Sequence, residues 1–494
     1  MDPSGTDVQT DSVHELQLLL ARPEDHHPVL DGGLSLECLR DAPAPTPLPG
    51  RIEVPTLESF DGGRNDLAAQ RWGVIAPQSE WGDLFLKAIA PLIAHREREQ
   101  GAEVQRYRVP PDMDASAAER WMSQVLRSES VSQEDRPLYL LILGDLHHVS
   151  LELQQVLAQG SCVGRLHVSQ TNGEPDLAGY AAYVKKLLAC EHRTEREEAP
   201  DVVFYTARDD SAEMKRGRRL LMNPCREEME ARKAKQPALE VLGVPEEDAT
   251  AEALLRVAGQ TRAGVMLSLT HGLGKPARGW SSPEDSRARQ GALLLSKKEV
   301  LTGEMLRHTP FLPEGMWFCV SCFGAVTPAR SAFLPWLTQL AQAGVFKAPA
   351  TSVLHHLPGV GERPFLAALP QALLANERGP LAIIGHCDLA WSSSYTNEDL
   401  PESSRASRIL SALKPLVNGS RAGVAHAALM HAYQMVNQRL MENYRQKEDA
   451  LFEGTADPVN AVKHARLWMV RNDLRGYLLL GDPAARLPLK GRPP

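Results

Sequence analysis

Aromatic residues make up only 5% of the 494 residues, and cysteine is scarcer still, with seven in the whole chain. An odd, thinly spread set (38, 162, 190, 225, 319, 322 and 387) excludes a disulfide framework and fits a reducing compartment. Apolar runs are short, and none approaches the roughly 18 residues of a membrane-spanning helix. Basic excess is missing too. With 54 Lys and Arg against 62 Asp and Glu, the net charge is −8. That gives no global footprint for nucleic acid or for an anionic membrane. The start, Met1-Asp-Pro-Ser-Gly-Thr-Asp7, has neither the basic nor the apolar region of a secretion signal, so a cytoplasmic location is expected. His147-His148, His355-His356 and the cysteines never fall at zinc-finger or H-E-x-x-H spacing, so no metal is expected. Gly272-Leu-Gly-Lys275 is no phosphate loop: Leu269 stands where the first glycine belongs, and Pro276 follows the lysine. No G-x-S-x-G occurs, and nothing in the chain calls for a cofactor.

What is present is ordinary globular content, 43% hydrophobic, in a chain long enough for two to four domains. Residues 1–70 read as a flexible N-terminal tail. Ala42-Pro-Ala-Pro-Thr-Pro-Leu-Pro-Gly50 is a stiff linker, and Leu16, Leu18, Leu19 and Leu20 suit either a short docking helix over 13–21 or a disordered tail. From Arg71 onward apolar strands alternate with amphipathic helices. This spacing predicts an α/β fold with a mostly parallel central sheet covered by helices. Strands are expected near 72–77, 104–109 and 138–143, and again near 201–206, 239–244 and 265–269, each trio interleaved with helices. We read this as a duplicated unit: a non-catalytic half over 71–198 and a catalytic half over 199–494. Later strands are expected at 350–355, 381–384 and 476–481, with a helix over 329–343 capped by Thr327 and started by Pro328.

Two strands end in groups that carry chemistry. Gly264-Val-Met-Leu-Ser-Leu-Thr270 runs into His271-Gly272, and Met316-Trp-Phe-Cys-Val-Ser321 runs into Cys322-Phe-Gly324. The carboxyl ends of parallel strands are where such groups meet. A neutral imidazole beside a thiol can take its proton and leave a thiolate nucleophile. The Thr327 helix would add a positive dipole end near the thiol. The Gly272 and Cys322 amides can serve as an oxyanion hole, and Gly324 permits a sharp turn. No third residue orienting the histidine can be read. Cys319 and Cys322 form a C-x-x-C, but Cys319 lies inside the strand and is expected in the core rather than in a redox pair. Asp388, after the strand at 381–384, is expected to line the pocket for the side chain before the cut bond and to favour Arg or Lys, with Trp391 walling the same cleft. Two basic polar stretches, 215–219 with the helix running on to Lys235, and 275–289, read either as solvated surface or as exposed sites where the chain could be nicked.

The spacing from His271 to Cys322 is 51 residues, histidine first. Together with Thr270-His-Gly272, Gln290-Gly-Ala-Leu-Leu294, Val320-Ser-Cys-Phe-Gly324, Ile384-Gly-His-Cys-Asp-Leu-Ala-Trp391 and Leu480-Gly-Asp-Pro483, it resembles the bacterial caspase-like cysteine peptidases, the CHAT branch in particular. The resemblance covers about residues 200–494. It implies a caspase-type sandwich, His271 as general base, Cys322 as nucleophile, and a selective regulatory or defence protease acting on a protein or peptide substrate. An activating protease or regulatory protein would be a further partner. Ser-Cys-Phe-Gly departs from the animal caspase signature, so aspartate specificity is not implied. A scaffold that binds a partner with the same cleft, and a non-peptidase thiol hydrolase, remain as alternatives.

Overall fold

The computed structural model describes residues 15–30, 32–39, 57–59, 62–128, 130–209, 211–244, 250–344, 346–359, 361–400 and 402–491. The expected linker at 42–50 lies outside them. The centre of the molecule is a ten-stranded sheet. In chain order its strands are β1 Trp72–Pro77, β2 Gln105–Val109, β3 Tyr139–Leu143, β4 Cys162–Leu166, β5 Asp201–Thr206, β6 Glu240–Gly243, β7 Val265–Leu269, β8 Met316–Val320, β9 Ala382–His386 and β10 Tyr477–Gly481. Their spatial order is β2-β1-β3-β4-β10-β9-β8-β7-β5-β6. Every neighbouring pair is parallel except β9 with β10. The first four strands and the strands β5 to β8 thus repeat one order, second-first-third-fourth, from the two edges inward. That is the duplication expected from the alternation of strands and helices. The antiparallel junction makes the halves run in opposite directions, so their carboxyl ends face opposite edges of the sheet.

Both faces are buried, as a parallel sheet requires. Val202, Phe204, Val265, Leu267, Phe318 and Val320 share one core with helices Ser407–Val417, Ala422–Glu453 and Ala461–Arg475. Val203, Tyr205, Met266, Trp317 and Cys319 alternate onto the other, under helices Leu177–His192 and Ala368–Ala375. The Asp482 of Leu480-Gly-Asp-Pro483 is structural. It accepts from the Trp72 indole at 2.9 Å and pairs at 2.6 Å with the buried Arg96, tying the end of β10 to the first half.

Several local expectations give way to tertiary context. Residues 347–355 form the helix Lys347–His355, not a strand. The expected Thr327 helix begins only at Leu334 (Leu334–Gln342), because Val326–Thr327 is a short strand paired with Phe365–Leu366. That helix therefore starts twelve residues past Cys322. The helix expected over about 211–235 is present, running from Ala212 to Arg232, and in it Arg216 and Arg219 pair with Glu402 at 2.8 and 2.9 Å. The stretch 275–289 ends in the helix Pro283–Arg289. The tail is not uniformly loose either. Leu36–Leu39 forms a 3-10 turn, and residues 15–21 are extended and packed, with Leu18, Leu19, Leu20 and Ala21 fully buried. They form a strand edge at Leu20–Ala21 instead of the helix over 13–21. No helix among the described residues is long and apolar enough to cross a membrane.

Candidate active site

Four strands of the second half deliver chemistry to one edge of the sheet: Asp209 follows β5, His271 follows β7, Cys322 follows β8 and Asp388–Trp391 follow β9. The central two are tightly joined. The Thr270 amide donates to the Val320 carbonyl, and a side-chain carbon at position 272 would sit 1.9 Å from the Cys322 carbonyl oxygen. Only glycine allows that approach. The turn after the thiol is made by Phe323, whose φ of 54° is left-handed, not by Gly324. A bulky residue held there is a strained conformation of the sort found at functional sites.

His271 is fully buried, and its Nε2 lies 2.7 Å from Asp209 Oδ2. Asp209 Oδ1 accepts from the Ser211 hydroxyl at 2.6 Å and from the Ser211 amide at 2.9 Å. Ser211 also caps the helix that starts at Ala212. Burial alone would raise the Asp209 pKa, yet its contacts with His271 and Ser211 hold it below the ordinary carboxylate range. With the carboxylate on Nε2, the proton belongs there and Nδ1 carries the lone pair. Nδ1 is buried and has no hydrogen-bond partner. Sequence reasoning missed Asp209, because an acid three residues before a helix reads as part of its cap. Glu213, in the first turn of the next helix, was missed as well. Its carboxyl is wholly buried with both oxygens unpartnered, and burial raises its pKa.

The Cys322 sulfur accepts from the Ala390 amide at 3.1 Å. Burial pushes the thiol well up, with the Ala390 amide opposing and the Asp388 and Asp473 charges reinforcing the rise. The Cys322 thiol also donates to the Ala390 carbonyl at 3.8 Å, His271 Nε2 also lies 3.4 Å from the Ser211 hydroxyl, and no hydrogen bond joins the Cys322 and His271 side chains. Cys319 faces the opposite core, and its sulfur contacts the Ser321 hydroxyl at 3.3 Å. All seven cysteines are unpaired.

The Gly272 and Cys322 amides converge on a single oxygen. Both donate to the carbonyl of Leu19, at 3.0 and 3.3 Å. Asp388 is differently placed from the expectation of a basic-side-chain pocket. It is buried and accepts from the Ala332 amide at 2.7 Å and the Leu389 amide at 2.8 Å. A carboxylate spent on two backbone amides offers no fork to a guanidinium, so a preference for Arg or Lys is not carried forward from Asp388. Burial, chiefly, raises its pKa. The Trp391 ring packs 5.9 Å from Phe333 and 5.7 Å from Trp336, while its backbone pairs antiparallel with Leu18. Asp473 fixes this segment, accepting from the Trp391 amide at 2.9 Å and the Ser394 amide at 2.7 Å. Asp473 also faces His386. Burial opposes charge on that ring, but Asp473 outweighs it and raises the His386 pKa.

No protein-family model matches the chain, and no curated protein matches it. Solved structures are similar in overall course. One is gingipain R, described as an Arg-specific cysteine proteinase: 11% identical, covering 85% of this chain and 78% of that one, with a TM-score of 0.47. A second, described as a protease, is 12% identical over 84% of this chain and 78% of its own, with a TM-score of 0.46. A third is a complex of the pro- and mature domains of RgpB from Porphyromonas gingivalis: 12% identical over 84% and 79%, TM-score 0.44. These likenesses assign no role to any residue here.

Proposed function

We propose that this chain is a cysteine endopeptidase in which Cys322 is the nucleophile, His271 the general base and Asp209 the group that orients it. The observation that carries the reading is the pair of amides, from Gly272 and Cys322, aimed at one carbonyl oxygen beside a thiol, with the free nitrogen of an oriented imidazole at the same sheet edge. In this reading the Cys322 thiolate attacks a peptide carbonyl and the two amides hold the developing oxyanion. The imidazolium then protonates the leaving amine, leaving a thioester. Water, deprotonated by the same imidazole, releases the acid. Asp209 keeps the tautomer that leaves Nδ1 free. The caspase-like assignment, the CHAT branch and a selective regulatory or defence role belong to this proposal, on the strength of the sequence motifs alone.

A partner-binding scaffold is the second reading, favoured by the full burial of the thiol. Hydrolysis of a fluorogenic peptide library separates the two. It is measured on the chain carrying Leu19→Asp, whose carboxylate is costly at this fully buried position and is expected to unseat the segment and free the amides. The peptidase reading expects turnover that disappears in Cys322→Ala and falls roughly 10²–10⁴-fold in His271→Ala. Turnover unchanged by Cys322→Ala, or none in any form, would favour the scaffold.

A further inference from the structure

We propose that residues 17–21 of this chain are an intramolecular plug lying in the cleft as a substrate would, with the Leu19–Leu20 bond at the thiol, and that the cleft takes extended peptides with an aliphatic side chain before the cut bond. The substrate class rests on the peptidase reading above; the plug itself does not.

The segment engages the site on both sides of that bond. Before it, the backbone adds an antiparallel strand to residues 390–392. The Leu19 amide donates to the Ala390 carbonyl at 3.0 Å, Leu18 bridges Trp391, and the Ser392 amide donates to the Gln17 carbonyl at 3.0 Å. Strand addition to a free edge is how many proteins hold extended peptides: main-chain bonds give affinity and side-chain pockets give specificity. At the bond, the Leu19 carbonyl oxygen takes both converging amides. After it, Leu20 and Ala21 run parallel to the short strand His271–Leu273, and the Gly274 amide donates to the Ala21 carbonyl at 3.0 Å. The Leu20 carbonyl accepts from the Val29 amide at 2.9 Å, so the segment is fastened downstream by its own chain.

Chance packing of a leucine-rich tail would not select this register. A slip of one residue would turn each side chain to the other face and take the Leu19 carbonyl from the amides. The Leu19 side chain is fully buried within the apolar core on that side of the sheet, an environment suited to an aliphatic side chain. Leu18, Leu19, Leu20 and Cys322 are all fully buried, so no outside peptide reaches the sulfur while the segment is seated.

The same fastening explains why the plug is kept rather than cut. Attack of the Cys322 thiolate on the Leu19 carbonyl carbon would form a thioester and break the Leu19–Leu20 bond, the leaving amine taking its proton from His271. The new terminus stays in place, because the Leu20 carbonyl accepts from Val29 and the Ala21 carbonyl from Gly274, and the thioester would form where Leu19, Leu20 and Cys322 are fully buried. Re-attack by the amine restores the peptide bond and returns the thiol.

The test compares the unaltered chain with Leu19→Asp, following alkylation of Cys322 by iodoacetamide and hydrolysis of two reporters, Gln-Leu-Leu- and Gln-Leu-Arg-aminocoumarin. The plug predicts alkylation at least about tenfold faster in the variant. Adding the free peptide of residues 15–23 should slow it again. The inferred cleft predicts the Leu reporter cut at least about tenfold faster than the Arg reporter. Equal alkylation in both proteins overturns the plug. Faster alkylation with neither reporter cut upholds the plug and overturns the peptidase reading. Preference for the Arg reporter overturns the aliphatic assignment. Hydrogen exchange on the unaltered chain needs no variant to fold. The Leu19 amide should be protected like those of Val265–Leu269, and exchange at the rate of an open tail would overturn the proposal.

Discussion

His271 has one ring nitrogen committed and one free, and each neighbouring carboxyl is set by its own surroundings. Asp209 is held charged by its contacts, while Glu213, buried and unpartnered, is held toward its neutral form. A carboxyl whose pKa is raised by folding binds its proton more tightly in the native state than in the unfolded one. Its contribution to stability is present below the ordinary value of 4.5 and is lost as pH rises through the raised native value. Glu213→Gln removes that loss. We expect the variant to gain on the unaltered protein as pH rises from 4 to 8. Urea midpoints across that range measure it, and a difference that stays constant with pH would show that Glu213 does not titrate as described. The residue scale is also where the sequence speaks unevenly. Gly272 and Cys322 announce themselves by lying beside strand ends. Asp209 and Glu213 look like ordinary helix-start acids, and only the packing of one strand end against the next brings them to the imidazole.

Among the elements, the segment 390–392 matters most, because the seated chain pairs with it and any peptide entering the same cleft would too. It has no long strand to stiffen it. Its geometry comes from Asp473, a buried carboxylate on the helix Ala461–Arg475 that accepts from Trp391 and Ser394. Asp473→Asn turns one acceptor into a donor that faces an amide. We expect KM for the Leu reporter to rise roughly tenfold, with a smaller change in kcat, in the Leu19→Asp background; an unchanged KM would show that the segment does not hold substrate. This dependence was hidden in the sequence, since Asp473 lies 82 residues beyond Trp391. The run Leu16–Leu20 misled for a related reason: leucine favours helix locally, but two partner strands supply the backbone bonds that decide it.

At the scale of the molecule, alternation of strand and helix was enough to read the mostly parallel sheet and its doubling. The reversal between β9 and β10 was not legible, because an apolar strand carries no mark of its direction. That reversal sends the first half's Leu143-Gly-Asp-Leu-His-His148 to the edge opposite His271 and Cys322. The whole account depends on imidazole assisting a thiol across that edge. The direct measurement is the rate of Cys322 alkylation against pH, in Leu19→Asp with and without His271→Ala. With the histidine present, the rate should rise at lower pH than in its absence. Without it, the rate should keep climbing toward the ordinary thiol range near about 8.5. Superimposable profiles would contradict the account.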